Sequence, residues 1–234
     1  MSDNKNIAFI TLTNSGYIPY TLNCLKSLEN IQFKKPLQCY CIGKQGYAIL
    51  ADKGYPCNLI DEEQNSNFQV FRQGNWSNIT FNKLKIIYEN LLTHDYVCFT
   101  DGDIVYENVD FFDYLLENIG DKDVLIQNDA ADDSDTRNLC SGFMFIKSNP
   151  NTLSLFNPAM AEAHKNHQGW DDQIYINDIK HKLHYKKLPL HLFPTGLYYY
   201  KHFSTFQPYL IHFNFCTGHE KQQNMKKYGK WLLD

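Results

Sequence analysis

Tyr96-Val97-Cys98-Phe99-Thr100-Asp101-Gly102-Asp103 reads as a short β-strand that delivers two carboxylates to its end. Tyr96 to Phe99 is apolar without alternation, the pattern of a strand covered on both faces, as central parallel strands are. Ligands of open α/β sheets sit beyond the carboxyl ends of central strands, and Asp101 falls at such an end. Two carboxylates separated by one glycine can turn tightly enough to face a single hard cation. Mg²⁺ and Mn²⁺ favour such oxygen donors together with substrate phosphates. An isolated triplet of this kind reads better as a plain acidic turn, so its surroundings decide. A calcium loop of the EF-hand type is excluded, because Ile104-Val105-Tyr106 stand where oxygen ligands are required.

Outward from this strand, residues 80–92 place Phe81, Leu84, Tyr88 and Leu91 on one helical face, with Asn78 or Thr80 as the N-cap. Residues 7–12 form a β-branched run that ends at Asn14-Ser15-Gly16, and a helical pattern follows through Leu22, Leu25 and Leu28. Residues 37–42 and 57–60 read as further strands, so the first sixty residues resemble βαβ units. Further strands are expected at 124–127, 143–147, 188–192 and 209–213, and helices near 111–119, 152–164 and 173–181. Residues 64–77 read as a surface loop. No repeat, low-complexity tract or long linker divides the chain, so one α/β domain over 1–234 is expected. It falls into an N-terminal part of about 1–105 and a C-terminal part of about 106–234.

Composition narrows the function. The 234 residues are 43% hydrophobic and 21% charged, ordinary for a globular chain, while 15% are aromatic, which is high. A formal charge of −4 leaves no basic field for nucleic acid. Cysteines stand at Cys24, Cys39, Cys41, Cys57, Cys98, Cys140 and Cys216; an odd count with no CxxC pair argues against a disulfide framework and a zinc knuckle. The polar start, Met1 to Asn6, offers no signal-peptide core, and no segment has the length and apolarity of a membrane span. A cytoplasmic protein is therefore expected.

The strand ending in Asp101-Gly102-Asp103 resembles that of the nucleotide-diphospho-sugar transferase group of GT-A glycosyltransferases, related to galactosyltransferase and glycogenin-like enzymes. Other blocks match in order over nearly the whole chain. Leu12-Thr13-Asn14-Ser15-Gly16-Tyr17 is similar to the first nucleotide loop of that group, and Ser141-Gly142-Phe143-Met144 to its central glycine-containing strand. Asp172-Gln173 with Asn177 resembles its DQxxxN element, and Ile211-His212-Phe213-Asn214 with Gly218 and Lys221 its closing segment. Lys230-Trp231-Leu232 resembles the family's domain end. Cys140 departs from the pattern, since many relatives carry Asn there, and this bears on a sugar-hydroxyl contact.

The resemblance implies a Rossmann-like, mixed and mostly parallel sheet flanked by helices, and transfer of a sugar from a nucleotide diphosphate to a hydroxyl with Mn²⁺ or Mg²⁺. A UDP-sugar is the first expectation for the donor and a GDP-sugar the second; the acceptor is a glycan, glycoprotein or glycolipid. Asp101, Asp103 and His212 are the implied metal ligands, and Lys221 the cation that meets the diphosphate. Asp172 and Gln173 are placed near the reacting carbon, Asp129 at donor hydroxyls, and Lys83 or Lys85 as a cation reaching the donor. Gly102, Gly142 and Gly218 belong to the donor-lining blocks, while Thr11, Thr13, Asn14 and Tyr17 could bond and stack on a base.

Each residue also has a plain structural account. His212 could be a satisfied core histidine, Lys221 a solvated lysine, and Asp172 a helix-dipole partner. Asp129 stands among Asp132, Asp133 and Asp135, which suit a solvated loop, and the lysine pair suits a solvated helix face. His181 and His184 read as surface residues. Tyr198-Tyr199-Tyr200 with Trp170 and Phe203 could stack an acceptor sugar or fill the core.

The resemblance implies retention of anomeric configuration; beside it, no carboxylate stands out as an inverting base, and Gln173 is too weak a nucleophile for a covalent double displacement. Two rivals are a sugar nucleotidylyltransferase, which needs a Gly- and Arg/Lys-rich triphosphate loop that is lacking here, and a catalytically silent binding module. The Asn, Lys and Tyr bias would suit a bacterial or large-virus enzyme.

Overall fold

The computed structural model describes residues 5–132, 134, 135, 137–165 and 170–234; the first four residues and Asp133, named above, lie outside them. In chain order the strands are β1 Ile7–Asn14, β2 Gln38–Ile42, β3 Cys57–Ile60, β4 Tyr96–Thr100, β5 Ile104–Tyr106, β6 Val124–Asn128, β7 Leu139–Lys147, β8 Tyr185–Leu188 and β9 Leu210–His212. The helices are α1 Ile18–Asn30, α2 Lys44–Asp52, α3 Trp76–Leu91, α4 Phe111–Asn118, α5 Pro150–Leu155, α6 Pro158–His164, α7 Asp172–Ile179, α8 Gly196–His202 and α9 Gly218–Lys227.

Seven strands form one sheet in the order β3-β2-β1-β4-β7-β6-β8. Every pairing is parallel except those of β7, which runs antiparallel to both β4 and β6. This is the mixed, mostly parallel sheet expected from the sequence. Strand β4 lies between β1 and β7, and its side chains divide between two cores. Tyr96 and Cys98 join Phe9, Leu25 and Phe111 on one face, while Val97 and Phe99 join Ile10, Leu84, Ile87 and Tyr175 on the other. Helices on both faces explain why β4 is apolar at every position.

Several boundaries differ from the sequence reading. Helix α3 begins at Trp76 rather than near Thr80, so neither Asn78 nor Thr80 is its N-cap; Asn75 stands there without a side-chain cap bond. The helix expected over 152–164 is two helices, because Pro158 has no N–H to continue the ladder and Asn157 caps a new start by accepting from Ala159 N. Strand β8 ends at Leu188, before Pro189, instead of running to residue 192. Helices α2, α8 and α9 and strand β5 were not anticipated: β5 is three residues long and α9 is polar along most of its length. All seven cysteines are free, and all but the half-buried Cys57 are buried. No helix of the described residues is long and apolar enough to cross a membrane.

Candidate metal and nucleotide-sugar site

Past Thr100 the chain turns against α1. A Cβ on Gly102 would meet Thr21 Oγ1 at 2.6 Å, so only glycine allows so close an approach. Asp101 N donates to Gly142 O at 2.7 Å, which ties the first carboxylate to β7. The second carboxylate is set by the small ribbon β5–β9, whose register pairs Ile104 with His212, while Phe213 N donates to Asp103 O at 3.1 Å. Two segments 109 positions apart (212 − 103) thus converge. His212 Nε2 lies 3.3 Å from Asp103 Oδ1 and 3.7 Å from Asp101 Oδ2. One donor atom from each of Asp101, Asp103 and His212 falls within 4.8 Å of the others. Gly142 provides the room: a Cβ there would stand 2.2 Å from His212 Cε1 and 2.8 Å from Asp101 Oδ2. Two carboxylates and one imidazole suit a divalent ion such as Mn²⁺ or Mg²⁺, so the donor set fits the expected metal.

Two buried lysines balance these charges. Lys83 Nζ bridges Asp101 Oδ1 at 3.0 Å and Asp172 Oδ2 at 2.8 Å. Lys221 Nζ donates to Asp103 Oδ2 and, at 2.6 Å, to Tyr17 OH, which itself donates to Asp103 Oδ2 at 3.1 Å. Burial disfavours the charged form of both lysines, but Asp101 and Asp172 around the first, and Asp103 and Tyr17 around the second, override it and raise both pKa values.

Burial also works against charge on His212, yet Asp103 and Cys140 beside it raise its pKa well above the ordinary histidine value. A divalent ion must displace that proton. Metal affinity is therefore expected to rise with pH across the range below the raised value, by up to about tenfold per unit, because one proton leaves for each ion bound. Mn²⁺ titrations followed by EPR at about pH 6, 7 and 8 test this across the range where histidine ordinarily titrates, and an affinity flat with pH would contradict it.

The triad opens into a cavity of about 480 Å³ that also takes in Tyr17, Lys83, Asp129, Asp172, Gln173 and Lys221. Gln173 Nε2 donates to Asp129 Oδ2 at 3.0 Å and its Oε1 faces Ser141 N at 3.4 Å, so the two residues proposed for the sugar are already coupled. Thr13, Asn14, Tyr17 and Gly102 line an adjoining recess of about 110 Å³ with Trp76 and Phe68. Gly218 sits on the cavity wall with φ +51°, and its carbonyl accepts from Tyr20 OH at 2.8 Å.

Other expected residues are placed elsewhere. Thr11 is fully buried and lines neither space. Lys85 is exposed outside the cavity, and Lys83, expected on a polar helix face, is the buried member of the pair. Asn177 clamps β7 by accepting from Leu139 N and donating to Leu139 O, both at 2.9 Å, which is a structural role.

The proposed acceptor platform is also displaced. Trp170 and Tyr199 are buried, and neither they nor Tyr198, Tyr200 and Phe203 line the cavity. The aromatic rim comes instead from Phe68, Phe71 and Trp76 on one side and Phe215 on the other. Phe71 packs edge-on against Trp76 at 5.4 Å, and Arg72 ties this loop to α7 through Asp171 at 2.7 Å. Residues 64–77 are thus a wall of the cavity. Three aromatics within nine residues, Phe68 to Trp76, were the signal available in the sequence.

A family model described as nucleotide-diphospho-sugar transferase matches residues 42–225. A curated relative, the UDP-galactose:fucoside alpha-3-galactosyltransferase of Dictyostelium discoideum, is 25% identical across 98% of this chain; the chain spans 44% of that relative's length. Among solved structures, galactosyltransferase LgtC in complex with donor and acceptor sugar analogs superposes with a TM-score of 0.65 at 14% identity, covering 96% of each chain. The bifunctional glycosyltransferase WbbM superposes at 0.61 and 14% identity over 99% of this chain and 50% of its own. Glycosyltransferase GlyE of Streptococcus pneumoniae TIGR4 does so at 0.57 and 16% over 98% and 61%. These structures share the fold. With the family match covering most of its length and the acidic triplet at the end of a central strand, the chain belongs to the nucleotide-diphospho-sugar transferases of GT-A fold.

Proposed function

We propose that the chain transfers a sugar from a nucleotide diphosphate donor to a hydroxyl of a glycoside acceptor, dependent on Mn²⁺ or Mg²⁺ and with retention of configuration. The observation that carries this reading is the convergence of Asp101, Asp103 and His212 between Lys83 and Lys221 at one end of a cavity. A divalent ion bound there supplies neutralisation of the charge that develops on the departing diphosphate. Lys221 adds a positive charge on the same side. Tyr17, Thr13 and Asn14 line the recess assigned to the base, and the coupled Asp129–Gln173 pair faces the sugar. Asp172 is held by Lys83, Asp171 by Arg72 and Asp129 by Gln173, so the deprotonating group is assigned to the leaving phosphate, on the same face as the broken bond.

UDP-galactose and a fucoside are the first donor and acceptor to test, because the curated relative is named for them. The acceptor is placed at the aromatic rim, with its apolar sugar face on Phe215. That ring is 53% exposed and its backbone is left-handed, at φ +58°. Asn214 and Cys216 hold the segment, through Asn214 Oδ1 accepting from Gly196 N at 2.8 Å and Cys216 Sγ donating to Phe213 O at 3.4 Å.

A screen of UDP-, GDP- and dTDP-sugars for Mn²⁺-dependent nucleotide release, followed by NMR of the product's anomeric proton, tests the reaction. A retained product is expected and an inverted one rejects the proposed geometry. Phe215→Ala is expected to raise acceptor KM about tenfold, the loss of one aromatic contact, while nucleotide release to water is unchanged. A parallel loss of both would remove the acceptor assignment.

A further inference from the structure

Gln127 is the penultimate residue of β6, just past a register shift between Ile126 and Gln127, and its side chain is fully buried behind the metal site. Its amide has a determined orientation. Nε2 donates to Phe193 O and to Pro194 O, each at 3.0 Å, so both of its hydrogens are directed at main-chain carbonyls that can only accept. Turning the amide over would set Oε1 against those two carbonyls. Oε1 therefore faces the other way, 2.8 Å from His212 Nδ1. An amide oxygen can only accept, so His212 carries a hydrogen on Nδ1. In the neutral form of the ring, the one that can ligate a metal, the lone pair is then left to Nε2, the atom that faces Asp101 Oδ2 and Asp103 Oδ1. Cys140 Sγ also lies on that edge of the ring, 3.5 Å from Nδ1.

The same residue fixes the backbone around His212. Pro194 O, which accepts from Gln127, also accepts from His212 N at 3.1 Å, and the bridge between Thr195 and His212 continues the contact. Gln127 thus joins the seven-stranded sheet to the β5–β9 ribbon at the residue that completes the site.

Resting on the metal site of the proposed function, we propose that Gln127 is a positioning residue that fixes His212 as the Nδ1–H tautomer with Nε2 directed at the ion. Outer partners of this kind orient a metal-ligating imidazole, and their loss typically weakens metal binding about 10- to 100-fold. A glutamine does this without adding charge behind the ring. The site then carries two carboxylates and one neutral imidazole toward a dication.

The test uses the whole chain and the metal alone. Mn²⁺ affinity is measured by EPR for wild type, Gln127→Leu, His212→Ala and the double variant. Gln127→Leu is expected to bind at least about tenfold more weakly, with no further loss when added to His212→Ala, because its effect passes through that ring. Unchanged affinity, or an equal loss in both backgrounds, overturns the proposal.

The leucine variant removes the donor to Phe193 O and one of two donors to Pro194 O and could fail to fold, so a second measurement stands on wild type alone. Imidazole ¹⁵N shifts of the Mg²⁺-loaded protein, with His212 assigned by its absence in His212→Ala, report the tautomer directly. A proton on Nδ1 is expected, and a proton on Nε2 overturns the inference. Wild-type protein that binds no Mn²⁺ rejects the metal site itself, an outcome separate from either result for Gln127.

Discussion

Replacing Asp103 with Asn is expected to lower sugar transfer about 10³-fold, with loss of tight Mn²⁺ binding, because the variant removes a ligand charge where leaving-group charge must be stabilised. The same carboxylate is an electrostatic hub for the fold. Burial opposes its ionisation, but Lys221 and His212 override this and hold its pKa well below the ordinary value. Both partners are buried, so Asp103→Ala leaves two cationic groups without their carboxylate. Breaking a buried pair in this way costs about 3 kcal/mol or more, and urea unfolding at neutral pH checks it.

The pH dependence has a fixed sign. A depressed carboxylate pKa contributes stability above the unfolded value of about 3.9 and loses it as pH falls through the folded value. The deficit of Asp103→Ala should therefore be full near neutrality and shrink only in strong acid. A variant as stable as wild type at neutral pH would contradict this role.

Lys83→Met is expected to be the other severe lesion. The lysine is 6% exposed and is the cation between Asp101 and Asp172, the latter 4% exposed. Its aliphatic stem can be imitated by methionine, but the charge cannot, and two carboxylates would remain crowded in a low-dielectric space. Burial already raises the pKa of Asp101 despite Lys83, so removing the lysine leaves that penalty with less opposition. A loss of about 3 kcal/mol at neutral pH is expected, the usual cost of an uncompensated buried charge. Protonation relieves the crowding, so the deficit should be smaller at about pH 5 than at neutral pH. Urea midpoints at the two values measure it, and a deficit independent of pH would count against the account. Arginine is not expected to substitute fully, because its planar fork does not reproduce the single ammonium that bridges Asp101 Oδ1 and Asp172 Oδ2.

The sheet was legible because its physics is local. Strand β4 lacks alternation because helices cover both its faces, and the break after Thr100 follows from Gly102 and its two acidic neighbours. The ribbon that completes the site was harder to read. Strand β5 and strand β9 are three residues each, and their pairing is visible only in space, although His212 itself was singled out by its neighbours.

Lys83 shows the limit of helical periodicity. Its place beside Leu84 on α3 predicts a polar face, and a buried lysine becomes favourable only with carboxylates from two distant segments. The aromatic triplet 198–200 was ambiguous for the same reason: Tyr199 packs on Phe213 and Tyr228 inside, a choice that composition does not make. Gln127 had no sequence signal at all, since its role depends on three contacts more than sixty positions away.

Asp101, Asp103 and His212 are proposed to hold a divalent ion on which the donor diphosphate sits. Nucleotide release from UDP-galactose, measured with Mn²⁺, in chelator, and after Mn²⁺ is restored, for wild type and Asp103→Asn, tests it most directly. Release by wild type is expected to stop in chelator and return with the metal, with almost none from Asp103→Asn under any condition. Equal rates in the two proteins, or full activity in chelator, would contradict it.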